Sequence, residues 1–255
     1  MYRLKLLGSP CITGAEDDLL TGRVAQRHRI AMLALLALSP PPGMSRDKLL
    51  AYLWPERDTE HARNLLKQAV HIIRSTCGAP AIRTTGDGVC LNTDMVRVDV
   101  LEYEAARARS DHRQAVELYR GPFLDGFFLA EAPELQRWIE HERGRLARTY
   151  GRALEALAEA ADAEHDLQSA LEHWQRLTVH DPYDSRVVLR LMGALEAAGN
   201  RAAALKLAAS HTRTLREELG AAPSNEVLDL AERIRTDPLT EVHSTIPVSR
   251  GRPAR

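Results

Sequence analysis

The segment Thr59–Gly78, TEHARNLLKQAVHIIRSTCG, constrains the fold most, because its polar and apolar residues separate completely on a helical wheel. The apolar side consists of Ala62, Leu65, Leu66, Ala69, Val70, Ile72, Ile73, Thr76 and Cys77. The polar side consists of Arg63, Asn64, Lys67, Gln68, His71, Arg74 and Ser75, and no carboxylate follows Glu60. Arg and Lys match phosphates and guanine edges, whereas Asn and Gln match the adenine edge. The polar side is therefore either a surface for a polyanion or an ordinary solvated helix face.

Composition excludes several classes of protein. The chain has 255 residues, 44% of them apolar, which is enough for two modest domains. No apolar run approaches the roughly 18 residues of a membrane span, and the first residues lack a signal-peptide pattern. Cys11, Cys77 and Cys90 lack the spacing of metal ligands. We expect a cytoplasmic protein with no membrane segment, no metal site and no cofactor.

Charge is distributed unevenly along the chain. Residues 1–99 contain 13 Lys and Arg against 10 Asp and Glu, a balance of +3, whereas residues 100–238 contain 18 against 24, a balance of −6. The remaining residues contain 3 against 1, a balance of +2. This asymmetry is compatible with nucleic-acid binding confined to the first part.

The first 99 residues show the element order of a winged helix. Tyr2, Leu4 and Leu6 alternate with basic residues as in a half-buried strand. Residues 26–38 become apolar on nearly every side, which predicts a central buried helix. We expect Ser45 to cap a second helix that Pro55 ends.

The third helix and the residues after it complete this pattern. Asp58 or Thr59 is a suitable N-cap for the third helix, and Gly78 is a suitable C-cap. The short segments 82–85, IRTT, and 89–91, VCL, then flank Gly86-Asp87-Gly88, which predicts a β-hairpin. In a winged helix the third helix can enter a major groove while the hairpin, or wing, lies beside it. Trp54 should pack the second helix against the third.

From Val100 onward the pattern is helical, with signs of a repeat. Four residue pairs are separated by 34 positions, the tetratricopeptide period: Ala160 and Ala194, His165 and Gly199, Ala170 and Ala204, Trp174 and Ala208. We expect small residues at the helix contacts and a turn at the second of these pairs. Gly121–Gly126 should form a structured loop before a long helix that starts near Pro133.

The last segment, residues 239–255, has few large apolar residues. We expect a flexible tail or a linker cut short of a further domain. Its sequence RGRP, at residues 250–253, matches the four-residue core of an AT-hook. Because motifs of four residues recur easily, we favour an ordinary basic tail.

Several motifs resemble known families. LLGSP, the helix ending in Ile73-Arg74, the hairpin IRTTGDGVCL and the following VDV resemble an OmpR-type winged helix. LYRG, RGPFLDGFF, the turn at Pro182 and LREELGAAPSNEV resemble the bacterial transcriptional activator domain. In this order, over residues 1–238, they resemble the antibiotic-regulatory, SARP-like transcription regulators. The resemblance implies a mostly α fold: a winged helix with small strands over residues 1–99, then an all-α tetratricopeptide-like domain over residues 100–238.

The resemblance also implies which residues meet DNA. In such proteins the third helix reads the major groove, and the wing touches the backbone or the minor groove. The implied DNA-binding residues are Arg63, Asn64, Lys67, Gln68, His71 and Arg74 on the helix and Arg83, Thr84 and Thr85 on the wing. The chain departs from the family at Val89, where a tyrosine is common, and at Ile72, where many relatives are polar or basic. The second departure narrows the basic surface of the helix.

An enzyme is not expected, because the sequence lacks a phosphate-binding glycine loop and the HExxH and GxSxG motifs. Catalytic residues are therefore not assigned. We expect a sequence-specific DNA-binding transcription regulator, an activator rather than a repressor, with double-stranded DNA as its partner. The helical domain should serve homodimerisation or contact with RNA polymerase. The alternative is a protein-interaction adaptor whose winged helix binds a protein partner.

Overall fold

The helices and strands of the chain divide between two units. A computed structural model describes residues 1–236, and the units comprise Met1–Leu177 and the residues from Thr178 onward. The described chain is mostly helical with short strands near the N-terminus, which confirms the expected fold class. The proposed domains at 1–99 and 100–238 concern which parts fold alone and stay a prediction. The tail at 239–255, with its RGRP sequence, lies outside the described residues.

The secondary structure follows a strand-rich start, three helices, a hairpin and a long helical region. The strands are β1 Tyr2–Lys5, β2 Cys11–Thr13, β3 Met44–Ser45, β4 Ile82–Thr85, β5 Gly88–Leu91 and β6 Val96–Val98. The helices are α1 Arg27–Ala37, α2 Arg46–Leu53, α3 Thr59–Cys77, α4 Asp99–Ala108, α5 His112–Leu118, α6 Pro133–Ala163, α7 Leu167–His180, α8 Ser185–Ala197, α9 Arg201–Thr214 and α10 Asn225–Thr236. A short 3₁₀ turn follows α3, and a π-helical turn, Leu215–Leu219, follows α9.

The six strands form two small sheets of three strands each. The first has the order β2-β1-β6, with β1 antiparallel to β2 and parallel to β6, so that Leu4 lies opposite Val98. Leu4 and Leu6 are fully buried, as the alternation predicts, although β1 itself ends at Lys5. The second sheet, β3-β5-β4, contains the hairpin, whose turn is Gly86-Asp87. The pairing of β1 with β6 was not predicted.

Helices α1, α2 and α3 pack against one another. In α1 every residue of the range Ile30–Ala37 is buried, as expected for a central helix. Ser45 caps α2, because its side chain accepts a hydrogen bond from the Lys48 amide at 3.3 Å. The Trp54 ring stacks on His28 of α1, with centroids 5.4 Å apart, and so holds the end of α2 against α1, a contact that was not predicted. Its packing against α3 stays a prediction.

Asp99 joins β1 to the start of α4. Its carboxylate accepts hydrogen bonds from the amides of Leu6 at 2.8 Å, Leu7 at 3.0 Å and Val100 at 2.7 Å. Burial raises the pKa of this carboxyl, and the three amides act in the opposite direction. The segment after β1 is also held by the Gly121–Gly126 loop, because the Leu124 amide donates to the Leu6 carbonyl at 2.8 Å. The predicted loop is therefore structured, and α6 begins at Pro133 as expected.

The helical repeat is confirmed in its turns. The turn between α6 and α7 has His165 at φ 59°, and the turn between α8 and α9 has Gly199 at φ 73°. These left-handed residues are the pair that the 34-residue period aligns, and Gly adopts such a φ without strain. Trp174 is fully buried, and its indole N–H donates to Asp162 at 3.0 Å. Ala160 differs from the expectation, because it is exposed rather than in a helix contact.

In the second unit, α8, α9 and α10 pack against one another. His211 is buried, and its ring nitrogens lie 2.8 Å from the Ser185 hydroxyl and 3.0 Å from the Pro182 carbonyl. A buried polar ring with both nitrogens paired is a structural histidine.

Candidate nucleic-acid interface

Helix α3 is the candidate interface, and the sequence fixes both of its ends. The Asp58 side chain accepts a hydrogen bond from the His61 amide at 2.9 Å, so Asp58 rather than Thr59 is the N-cap. Glu60 in the first turn complements the partial positive charge of the helix N-terminus. At the other end, Gly78 adopts φ 94°, which favours glycine.

One side of α3 is buried in the protein, and the other side is exposed to solvent. Its buried residues, all from the predicted apolar side, are Ala62, Leu66, Ala69, Ile73 and Cys77. Burial raises the pKa of the Cys77 thiol to about 11, as expected for a cysteine that packs as an apolar residue. The amphipathic prediction for this helix is therefore confirmed.

The predicted helix residues are exposed, with one exception. Asn64, Lys67, Gln68 and His71, here called the reading face, all lie at the surface, as does Arg63. These four occupy positions i, i+3, i+4 and i+7, which are neighbours on one helix surface. The reading face thus presents one cation, two carboxamides and an imidazole from consecutive turns.

Arg74 is the exception, because it is half-buried and already hydrogen-bonded. Its Nε and Nη2 donate to the Ile82 carbonyl at 3.1 and 2.8 Å. The guanidinium therefore ties the end of α3 to the first residue of the wing. Since a guanidinium has five N–H groups, three remain for another acceptor.

The wing lies beside α3 and forms a cleft with it. The polar residues that line this wing cleft are Arg46, Asp47, Arg63, Lys67, His71, Arg74, Thr84 and Asp87. Asp47 lies 3.8 Å from Arg63, and Arg46 donates to the Gly86 carbonyl at 2.8 Å. Two carboxylates thus accompany the cations on this side.

The other predicted wing residues lie on β4. Arg83, Thr84 and Thr85 are all exposed, and Arg83 pairs with Asp94 at 3.3 Å. Val89, which stands where the family often has tyrosine, is buried and pairs with Met44 of β3. Here valine joins the wing to the core of the unit.

A second cleft borders α3 on its other side. This α1 cleft is lined by Arg23, Gln26 and Arg29, from the start of α1 and the segment before it, and by Lys67, Gln68, His71 and Ile72 of α3. The sequence reasoning missed Arg23 and Arg29, and it missed Arg46 in the wing cleft. The available signal was the density of arginine between residues 23 and 29, of which Arg27 and Arg29 fall at the polar start of the predicted helix 26–38.

Within residues 1–236, no three His, Cys, Asp or Glu side chains lie close enough together to hold a metal ion. No helix in that range is both long and apolar enough to cross a membrane.

Comparison with known proteins decides the family. Residues 94–235 match the model of the bacterial transcriptional activator domain, which is more than half of the chain. The chain belongs to the bacterial transcriptional activator domain family. It is similar to the regulatory protein AfsR of Streptomyces griseus, with 28% identity over 245 residues. That similarity covers 91% of this chain and 24% of AfsR, so the chain spans about a quarter of its curated relative.

A solved structure supports the fold of this family member. The fold is similar to that of Mycobacterium tuberculosis EmbR, solved in complex with a low-affinity phosphopeptide, with a TM-score of 0.65. The likeness covers 93% of this chain and 66% of the EmbR chain at 22% sequence identity, and it concerns the fold alone.

Proposed function

We propose that this member of the bacterial transcriptional activator domain family is a sequence-specific DNA-binding activator that inserts α3 into a major groove. The observation that carries the proposal is the reading face, which is exposed and contains no carboxylate. A major groove admits an α-helix, and Lys, Asn and Gln recognise base edges there. The winged-helix order of the surrounding elements agrees with this use of α3.

The contacts divide into two classes. Asn64, Lys67, Gln68 and His71 discriminate between bases, because their side chains leave the helix away from the protein. Arg63 and the wing residues Arg83, Thr84 and Thr85 contact phosphates and set the register. Arg74 serves first to hold the wing against α3 and offers its remaining N–H groups to the backbone.

The helical part supplies the second function, which is homodimerisation or contact with RNA polymerase. Residues 100–238 carry a balance of −6, and several large apolar side chains of the second unit are exposed. Val179 is 83% exposed, Leu219 57% and Leu228 46%. Exposed apolar side chains are a feature of protein contact surfaces.

The direct test removes the reading face while keeping the fold. The double variant Lys67→Ala, Gln68→Ala should lose specific footprints on duplexes selected from a random pool, because each good base contact supplies about 1–3 kcal/mol of discrimination. Its circular dichroism spectrum should match that of wild type. The matched control is Gln168→Ala with Lys206→Ala, the same side-chain types at exposed positions of α7 and α9. Unchanged footprints from the α3 variant would refute the assignment of the reading face.

Salt dependence separates DNA binding from the adaptor alternative. Binding through several phosphates should weaken with a log–log slope of roughly −0.9 per contact. A protein partner held by the apolar surface of the repeats should respond far less. A duplex affinity that does not change with salt would favour the adaptor.

A further inference from the structure

The α1 cleft has a charge pattern that the wing cleft lacks. Its lining contains Arg23, Arg29, Lys67 and His71, with two carboxamides and Ile72, and no carboxylate. The wing cleft contains Asp47 and Asp87 among its cations. Cations gathered without acidic partners repel one another, and a bound anion relieves that repulsion.

The side chain of Arg29 is hydrogen-bonded to the backbone of Arg23, so the two arginines of this cleft lie close together. One terminal nitrogen of Arg29 donates to the Arg23 carbonyl and to the Gln26 side chain. Its Nε is buried and has no hydrogen-bond partner among residues 1–236. Burial and the nearby Arg23 lower the pKa of Arg29. Arg23 is exposed, and no ion pair holds its guanidinium in the described part of the chain.

The positions of the two clefts relate them to the two strands of a duplex. Lys67 and His71 line both clefts, so they form the ridge between them. On α3, Gln68 and Ile72 face only the α1 cleft, whereas Arg63 and Arg74 face only the wing cleft. A helix in a major groove is bordered by one phosphate backbone on each side.

We propose that the α1 cleft is a second phosphate-binding site, in which Arg23 and Arg29 hold the DNA strand opposite to the one held at the wing cleft. This inference rests on the proposed function and extends it, because the protein then binds both phosphate backbones that border the major groove. We call this the two-sided grip. Arg23 supplies an exposed guanidinium, and Arg29 supplies a guanidinium that hydrogen bonds hold in place at the start of α1. Arg is suited to this role because its fork matches two phosphate oxygens.

The proposal also accounts for Ile72. An isoleucine at this position narrows the basic surface of α3 itself. Arg23 and Arg29 reach the same side of the helix from the start of α1, so the cations are supplied by a neighbouring element. The chain thus carries its phosphate contacts on that side outside α3.

The first test measures salt slopes with the full chain on a mixed-sequence duplex and on a duplex selected from a random pool. Arg23→Ala should weaken binding to both duplexes by a similar factor and make the log–log slope less negative by about 0.9, the loss of one phosphate contact. Arg23→Lys should recover most of the slope, because it keeps the charge. Arg137→Ala is the control, since Arg137 is an exposed arginine of α6, 71% exposed at its side chain and paired with Glu134.

Each outcome decides a different question. If wild type binds duplexes steeply with salt and Arg23→Ala matches Arg137→Ala, the α1 cleft is not a phosphate site, while the proposed function stands. If Arg23→Ala relaxes base preference at an unchanged slope, the residue contacts a base and the inference is overturned. If wild type shows no salt-dependent duplex binding, the proposed function fails and takes this inference with it.

A second test identifies the strand. Methylphosphonate substitution removes the charge of single phosphates, one at a time, in the selected duplex. The loss of affinity that Arg23→Ala causes should be small on the duplex in which the phosphate contacted by Arg23 is already neutral. On the other substituted duplexes the loss should be undiminished. Arg63→Ala, in the wing cleft, should show the same coupling at a phosphate of the opposite strand. Coupling of both variants to the same strand contradicts the two-sided grip.

Discussion

Helices α1 and α3 belong to the same compact unit and use their surfaces in opposite ways. In α1, eight of eleven residues are buried, as the unbroken stretch Ile30–Ala37. In α3, five of nineteen residues are buried, spaced along one side. An apolar helix surrounded on all sides is a core element, whereas a helix with one polar side is free to meet another molecule on that side.

The difference teaches where stability and binding are located in this molecule. Removing atoms from α1 should cost folding free energy and leave the binding surface chemically unchanged. Changing the polar side of α3 should alter binding and leave the core intact. Two predictions test this separation, beginning with the larger effect, and a third compares the two clefts beside α3.

Truncation in α1 should have the largest effect. Leu33 is fully buried, so Leu33→Ala should lower the free energy of unfolding by about 2–5 kcal/mol through lost burial and the cavity left behind. Urea denaturation followed by circular dichroism measures the change. His71→Ala, on the exposed side of α3, is the control and should shift the unfolding free energy by less than about 0.5 kcal/mol. Similar losses from both variants would break the contrast between the helices.

The caps of the two helices sharpen the same contrast at a smaller scale. Asp58 accepts the His61 amide at the start of α3, whereas Gln26 at the start of α1 makes no side-chain cap. Asp58→Ala should therefore cost about 0.5–2 kcal/mol of unfolding free energy. Gln26→Ala should cost about 0.5 kcal/mol or less, because α1 is held by packing. Equal costs in urea denaturation would mean that the Asp58 cap does not stabilise α3.

A feature could be predicted from the sequence when the residues that determine it lie close together along the chain. Helix α3, the buried α1 and the turn at Gly86-Asp87 follow from residues within a few positions of one another, and all were predicted. The N-cap of α3 was narrowed to Asp58 or Thr59, and the structure shows Asp58. Strand β6 was missed, because the alternation of its three residues, VRV, is too short to be distinctive and its pairing with β1 spans more than ninety positions.

The candidate site was predicted in part for the same reason. The reading face follows from the periodicity of one helix. Arg23 and Arg29 were missed, because only the crossing of α1 and α3 brings them to the side of Ile72. The hydrogen bonds from Arg74 to Ile82 likewise depend on where the wing begins. A helical wheel shows which side chains leave a helix together, but it does not show which other elements meet them.

A small stability effect and a larger effect on binding are expected at Asp47, one of the two carboxylates that line the wing cleft. Its ion pair with Arg63 is long, at 3.8 Å, and both side chains are more than half exposed. Asp47→Asn should therefore change the free energy of unfolding by about 1 kcal/mol at most, including the lost interaction with the start of α2. The same change removes a carboxylate from the wing cleft, so it should tighten duplex binding at low salt and less so at high salt.

Asp229→Asn tests whether this gain is specific to the wing cleft. Asp229 is an exposed carboxylate of α10, so the two variants change the net charge equally. Only Asp47→Asn should tighten binding by more than the general charge effect, because only its carboxylate lies among the cations beside α3. Equal gains in titrations with a mixed-sequence duplex would show that net charge, rather than the wing cleft, sets the affinity. A larger gain for Asp47→Asn means that the wing cleft lies against the phosphates and that its two carboxylates weaken its grip relative to the α1 cleft.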